Sequence, residues 1–205
     1  MAVRIAGLAL TAGCWAWAMS ARPGAALIWV MPLLTFPISW LGRRLLDRDP
    51  TPERAAWVNV PVHYAMMSVL GSALFPAFRE LLSRPTIEVP VLGPAVRALV
   101  LLTGFATFLT VLNLAIRGLG APFAVRLSTR LATDWLYART RNPMLLCTLA
   151  WFFCFGVWHQ SAWFLLFLAI SVAPGWIYFV KVYEERELEI RFGAAYAEYK
   201  VRTHF

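Results

Sequence analysis

Arg139-Thr140-Arg141-Asn142-Pro143-Met144-Leu145 closes a basic, turn-rich segment (residues 117–145) and opens an apolar run that continues through residue 158. Pro143 suits the first position of a helix, because its missing N–H would be unbonded there, and Asn142 then takes the N-cap. The stretch therefore predicts a helix whose first amides stay open beside Arg139 and Arg141, where they can hold an anion. The alternative interpretation is a capped transmembrane helix flanked by arginines that orient it in the membrane.

The composition predicts a membrane protein. Of 205 residues, 60% are hydrophobic and 15% charged, and the mean hydropathy is +0.62. Several apolar runs approach the roughly 20 residues that cross a bilayer, and the period-2 alternation of a β-barrel is absent. We therefore predict one integral membrane domain over residues 1–205, an all-α polytopic bundle of five to six spans, divided into N-terminal spans (1–116) and a cofactor-binding part (117–205).

The spans follow from the apolar runs. Polar loops are predicted at residues 42–54 and 79–94, and Pro32 and Pro37 predict kinks in the second span. The first run can alternatively be a cleaved signal peptide, although another apolar run follows it at once. The six predicted spans are residues 3–19, 25–41, 55–78, 95–116, 143–158 and 162–180.

Net charge and cysteine content argue against a nucleic-acid-binding protein and against a metal or disulfide site. The net charge of +8 is explained by loop residues that orient the spans, so no nucleic acid partner is predicted. Most lysines and arginines fall on the side that holds residues 42–54, 117–141 and the stretch after residue 180. This asymmetry predicts that both termini are cytoplasmic, with the inner membrane as the location in a bacterium. The three cysteines lie in apolar runs and predict packing, not a metal site or a disulfide.

Two polar residues stand inside the third span. Asn59 and His63 are four residues apart and so share a helix face. Polar residues within a span are candidate functional sites, although hydrogen bonding between helices is an alternative role. We name Asn59 and His63 as candidate substrate-binding residues.

The chain changes character after the sixth span. A stripe at helical spacing follows, which is apolar apart from its first member and should pack inward: Glu184, Leu188, Phe192, Tyr196 and Tyr199. Because a buried carboxylate needs a partner, we expect Glu184 to meet Arg130, Arg139 or Arg141. Glu185, Glu189 and Arg186 are expected to be solvated. Together these segments predict a pocket at the cytoplasmic face.

These motifs resemble a known family. Arg141-Asn142-Pro143-Met144, followed by Glu184-Glu185 and then by the Phe192-Gly193, Tyr196 and Tyr199 pattern, resembles the isoprenylcysteine carboxyl methyltransferases and the wider phospholipid methyltransferases. The upstream Gly118-x-Gly120-Ala121-Pro122, and Leu131 before Tyr137, are similar to the same family's approach to its cofactor.

The resemblance implies an S-adenosylmethionine-dependent methyltransferase. Its catalytic residues would be Arg141, Glu184 and Glu185. The acceptor would be lipid-borne or a small hydrophobic molecule, with a prenylcysteine-like carboxylate as the first expectation. An aminophospholipid or a small thiol remains open, and for an ammonium acceptor Glu185 would be the base. The implied cofactor-binding residues are Leu131, Tyr137, Arg141, Asn142, Pro143, Met144, Leu145 and Glu184.

The sequence also departs from the family pattern. Trp135-Leu136-Tyr137 stands where the family usually has Gly-Pro-Tyr, Leu145 replaces a tyrosine, and Cys147 replaces a small glycine. These departures favour the alternative function, a non-catalytic membrane scaffold or lipid-binding protein that retains the methyltransferase fold.

Overall fold

The computed structural model describes residues 2–83, 93–117 and 128–205. The described chain is all-α, and its only β pairing is a single bridge between Thr140 and His204. We number its long helices in chain order: α1 (Ala2–Ala21), α2 (Ala25–Asp47), α3 (Pro52–Ser83), α4 (Gly93–Arg117), α5 (Pro143–Trp158), α6 (Ala162–Phe192) and α7 (Ala194–Arg202).

The predicted all-α membrane bundle is confirmed. Among the described residues, α2, α3, α4 and α6 are long and apolar enough to cross a membrane, and α5 is a shorter apolar helix. The six predicted spans correspond in order to α1 through α6. Leu101 and Leu102 of α4 expose 74% and 63% of their surface, which suits contact with lipid chains.

Three predicted boundaries are wrong. The loop predicted at residues 42–54 is helical as far as Asp47, because Arg43 and Asp47 form an i,i+4 ion pair of 2.6 Å that supports another turn. Likewise, α3 extends to Ser83 into the loop predicted at 79–94. The sixth span and the helix after it are one continuous helix, α6, which ends before Gly193, where φ is +52°.

Irregular turns interrupt α2 and α6. The predicted kink near Pro32 appears as a 3₁₀ turn at Met31–Leu34. Pro37 lies in the first turn of the α-helical segment that follows, where its missing N–H removes little. Two wide π-type turns, Leu168–Val172 and Val180–Glu184, occur in α6. Such turns re-aim the side chains around them, and Glu184 belongs to the second.

Helix packing separates the two ends of the bundle. The closest pairs are α4 with α5 and α1 with α3, while α2 packs on both α3 and α6. At one end, Arg79 donates to the Met19 carbonyl oxygen (3.0 Å). At the other end, Arg186 pairs with Asp47 at 2.8 Å. Two of the basic segments that the sequence assigns to one side, residues 42–54 and the stretch after residue 180, therefore meet at one end of the bundle.

The contact between α2 and α6 yields a stability prediction. A Cβ built on Gly42 lies 2.7 Å from the Tyr183 ring and 3.1 Å from Val62, and Tyr183 is fully buried. Gly42→Ala should therefore lower the free energy of unfolding by about 1–3 kcal/mol through overpacking. The measurement is denaturation in a fixed detergent. Gly13→Ala is the matched control, because nothing lies within 4 Å of its added Cβ; equal behaviour of the two variants would contradict the close packing.

Candidate functional site

A cavity of about 530 Å³ opens between the helices and the segment that precedes α5. One arm of it is apolar, and the other end is polar. The apolar arm includes Trp15, Met66, Met67, Leu70, Leu74, Phe75, Phe78, Val111, Leu114, Trp151 and Phe152. The polar end includes Asn59, His63, Arg130, Tyr137, Arg141, Asn142, Glu184, Glu187, Arg191, Tyr196 and Tyr199.

Most candidate residues from the sequence line this cavity. They are Leu131, Tyr137, Arg141, Asn142, Met144, Leu145 and Glu184, together with Asn59 and His63. Pro143 is buried at the first position of α5 but is not part of the cavity wall, and Glu185 is also outside it. Arg139 is exposed. The Gly118–Pro122 motif lies outside the described residues.

The start of α5 has hydrogen-bond donors without partners among the described residues. The first helical bond runs from the Leu146 amide to the Asn142 carbonyl oxygen (3.1 Å), and first-turn amides such as those of Met144 and Leu145 lack partners within a helix. The expected side-chain cap is wrong: Asn142 holds the N-cap position but makes no capping bond, since its φ and ψ are −127° and 50°. Its buried Nδ2 has no partner among the described residues.

Arg141 is held on several sides. Its Nη2 lies 3.2 Å from Glu185 Oε1, and its Nη1 donates to the carbonyl oxygens of Thr203 (2.6 Å) and Lys200 (3.1 Å). Glu185 is 7% exposed and also pairs with Lys200 at 2.8 Å. The expectation that Glu185 is solvated is therefore wrong. The hydrogen bond to Glu185 raises the pKa of Lys200, which keeps the Lys200 ammonium protonated.

Residues 199–205 form a strap across the segment before α5. The Arg141 amide donates to the His204 carbonyl oxygen (2.9 Å), and the Tyr199 hydroxyl donates to the Tyr137 carbonyl oxygen (2.7 Å). Burial raises the pKa of Tyr199 to about 12, so this donor stays protonated. The strap fixes residues 137–141 against α7. Sequence reasoning missed it, because no periodic pattern marks a backbone contact between distant residues.

Glu184 differs from its neighbour Glu185 in the contacts of its carboxylate. It lies in the second π-type turn of α6 and lines the cavity. Among the described residues nothing forms a hydrogen bond or ion pair with its carboxylate. The expected arginine partner is therefore wrong for Glu184, because Arg141 pairs with Glu185 instead. The cavity thus contains a carboxylate that has no partner within residues 2–83, 93–117 and 128–205.

Asn59 and His63 of α3 form a second polar group in the cavity wall. Asn59 is 3% exposed, and its Oδ1 has no partner in the described chain. His63 Nδ1 is 3.1 Å from the Asn59 carbonyl oxygen. Across from them, Glu187 is 1% exposed and pairs with Arg191 at 2.8 Å, and Arg191 also donates to the Ser128 carbonyl oxygen. Sequence reasoning missed Glu187 and Arg191, although their spacing from Glu184 places them beside the inward stripe.

Fold and cavity together define an integral membrane helical protein with an internal site that is polar at one end and apolar along the other. The phospholipid methyltransferase family model matches residues 92–195, about half of the chain. The chain belongs to this family of membrane methyltransferases. The matched stretch contains every implied cofactor residue, whereas Asn59 and His63 precede it. Comparison with curated proteins found no match, nor did comparison with solved structures.

Proposed function

We propose that the protein transfers a methyl group from S-adenosylmethionine to a lipid-borne or hydrophobic acceptor. One observation carries the proposal: a single cavity of about 530 Å³ holds both a buried donor, Asn142 Nδ2, and a half-buried carboxylate, Glu184, and neither has a partner among the described residues. Polar groups shielded from water are normally hydrogen-bonded, so the pair points to a ligand that carries complementary groups of both kinds.

The amino-acid part of the cofactor matches this pair. Its carboxylate suits Asn142 Nδ2 and the first-turn amides of α5, and its ammonium or the ribose hydroxyls suit Glu184. Leu131 and Tyr137 offer apolar and aromatic surface to the adenine. The cavity volume falls within the roughly 300–1,000 Å³ of small-molecule sites, and the apolar arm leaves room for a second, hydrophobic molecule.

Arg141 fits a positioning role in this proposal. Three of its nitrogens already contact Glu185, Lys200 and Thr203. Its guanidinium therefore fixes the start of α5, and the α5 amides and Asn142 bind the cofactor carboxylate. The ion pair between Lys200 of α7 and Glu185 of α6 holds Glu185 in place beside Arg141.

When bound, the cofactor supplies an electrophilic methyl group on a sulfonium. Methyl transfer is an in-line displacement, so the residues act chiefly by orienting the two reactants. The apolar arm suits the hydrocarbon part of an acceptor that arrives from the bilayer. The acceptor chemistries that the family resemblance leaves open are a prenylcysteine-like carboxylate, a phospholipid amine and a small thiol. We place the polar end of the cavity at the cytoplasmic face, because the basic segments meet there.

Calorimetry with S-adenosylhomocysteine on the purified protein tests the proposal. Saturable binding is the expected result, and no heat of binding at millimolar ligand would count against it. The alternative, a lipid-binding scaffold, is favoured by the long apolar arm and by the exposed Trp135, which stands where the family usually has a glycine. Lipid that copurifies without any nucleoside binding would support the scaffold.

A further inference from the structure

We propose that the apolar arm of the cavity sets the length of the hydrocarbon chain that the acceptor carries, and that Phe78 of α3 and Phe152 of α5 form the floor at which this chain must end. The inference deepens the proposed function and rests on it, but it requires no particular acceptor headgroup. Phe78 precedes the family-matched stretch 92–195, so the family match does not assign it this role.

An aromatic cluster closes the deep end of the arm. Phe78 and Phe152 both line the cavity, and their ring centroids lie 5.2 Å apart in an edge-to-face arrangement. Phe78 also contacts Phe155 at 5.7 Å and Phe164 at 5.0 Å. Neither of these two rings lines the cavity, and Phe164 is fully buried. The floor is therefore backed by packed aromatic side chains, which gives the arm a closed end.

The lining residues give the arm its depth. Along α5, the cavity wall runs from Asn142 at the polar end to Phe152 at the floor. At about 1.5 Å per residue of helix, this distance is roughly 15 Å. One leaflet of a bilayer has a similar depth, about half of the roughly 30 Å hydrocarbon core. The arm therefore suits one chain of about leaflet depth, with its reactive group near the start of α5.

The chemistry of the arm suits hydrocarbon. No charged side chain occurs among the residues that line it within the described part of the chain. Three of its polar groups donate to backbone carbonyl oxygens: the Thr107 hydroxyl to Thr103 (2.9 Å), the Thr148 hydroxyl to Met144 (2.7 Å) and the Trp15 indole to Met67 (2.9 Å). A cavity with apolar walls stays dry and binds apolar molecules, so we infer a hydrocarbon chain as its occupant.

The two sides of the arm differ. On the α1 side, Trp15 packs edge-to-face on Phe75 at 5.1 Å, and its indole lies so close to Gly71 that a Cβ there would overlap the ring. This side is therefore fixed. On the other side, α4 packs on α5 and is not closely packed on α1 or α3. A chain that reaches the arm from the bilayer there has to extend along α3 toward the floor.

A closed floor makes the site selective for chain length. Each methylene group that is removed from water strengthens binding roughly fourfold, as long as the chain has not reached the floor. A longer chain has to bend, or to push Phe78 and Phe152 against Phe155 and Phe164, and overpacking of a close-packed region is unfavourable. Acceptor efficiency should therefore rise to one chain length and fall beyond it.

The first test uses n-alkanols from octanol to octadecanol that carry a photoreactive diazirine at the chain end, with the purified protein in a fixed detergent. The hydroxyl should stay at the polar end, because an unpaired hydroxyl in the arm is unfavourable. We expect labelling of residues 74–78 and 151–152 to peak at one intermediate chain length. Phe78→Leu and Phe152→Ala should each move the peak to longer alkanols. Leu74→Phe, which adds bulk one turn before Phe78 on the same face, should move it to shorter ones.

Turnover gives a second test. Labelled S-adenosylmethionine is supplied with geranyl, farnesyl and geranylgeranyl cysteine, and with phosphatidylethanolamines of increasing acyl length. For the headgroup that reacts, Phe152→Ala should raise the ratio of kcat/KM for long over short chains by roughly tenfold or more. Leu74→Phe should lower this ratio, and both variants should bind S-adenosylhomocysteine as wild type does. A loss of stability alone would lower turnover for all chain lengths together.

Phe108→Ala is the matched control, since Phe108 of α4 is 58% exposed and outside the cavity wall; it should leave both the peak and the ratio unchanged. Labelling that rises with chain length without a limit, or a peak that neither Phe152→Ala nor Leu74→Phe moves, would overturn the floor. The proposed function falls separately, if wild type fails to bind S-adenosylhomocysteine, because alkanol labelling requires no cofactor.

Discussion

Arg141→Ala should lower the free energy of unfolding by about 3 kcal/mol and abolish measurable binding of S-adenosylhomocysteine. The guanidinium contacts Glu185 and the carbonyl oxygens of Lys200 and Thr203. Removing one partner of a buried ion pair typically costs about 3–5 kcal/mol, and the remaining Lys200–Glu185 contact places the expected loss at the lower end. Cofactor binding should fail because residues 137–142 lose their support from the strap.

Chemical denaturation in detergent measures the loss of stability, and calorimetry measures the loss of S-adenosylhomocysteine binding. Arg139→Ala is the matched control, since Arg139 is exposed, and surface substitutions usually change stability by less than about 0.5 kcal/mol. Arg141→Lys keeps one charge but cannot reach all three partners, so it should fall between wild type and alanine. If Arg141→Ala were as stable as Arg139→Ala, the arrangement of the strap around Arg141 would be wrong.

Glu184→Gln should separate stability from binding. The substitution keeps the shape of the side chain but removes a carboxylate that has no partner among the described residues. An unpaired charge in a cavity destabilises the ligand-free protein, so stability should stay the same or rise. Affinity for S-adenosylhomocysteine should fall by roughly ten- to 150-fold, because a hydrogen bond to a charged group contributes about 1.5–3 kcal/mol.

The control for this variant is Glu198→Gln. Glu198 is an exposed carboxylate of α7, 71% accessible, in a loose 3.6 Å pair with Arg202. Its loss should alter neither property. A Glu184→Gln protein that binds S-adenosylhomocysteine as wild type does would remove Glu184 from the cofactor site, and a loss of stability would show that the carboxylate serves packing.

The sequence predicted the helices because each span is a long apolar run. The start of α5 at Pro143 could be found from local chemistry alone, since proline marks the first helical turn. Helix ends were harder: α2 continues to Asp47 because charged residues pair along its surface and with α6. A hydropathy pattern does not detect such ion pairs, so the polar residues up to Asp47 were predicted to lie in a loop.

The site was predictable where one helix face defines it. Glu184 is the first residue of an inward stripe, and Asn59 and His63 share a face of α3; all three line the cavity. The partners of these residues were not predictable. Adjacent glutamates point about 100° apart on a helix, so which one meets Arg141 depends on the path of α6, including its π-type turn at Val180–Glu184. The strap likewise depends on tertiary contacts.

A structure determined with S-adenosylhomocysteine bound tests the central claim most directly. The account predicts ligand density in the cavity between the start of α5 and α6, with the ligand's carboxylate beside Asn142 Nδ2 and its ammonium or ribose hydroxyls within hydrogen-bonding distance of Glu184. Ligand bound elsewhere on the protein, with Asn142 and Glu184 still unpartnered, would contradict it.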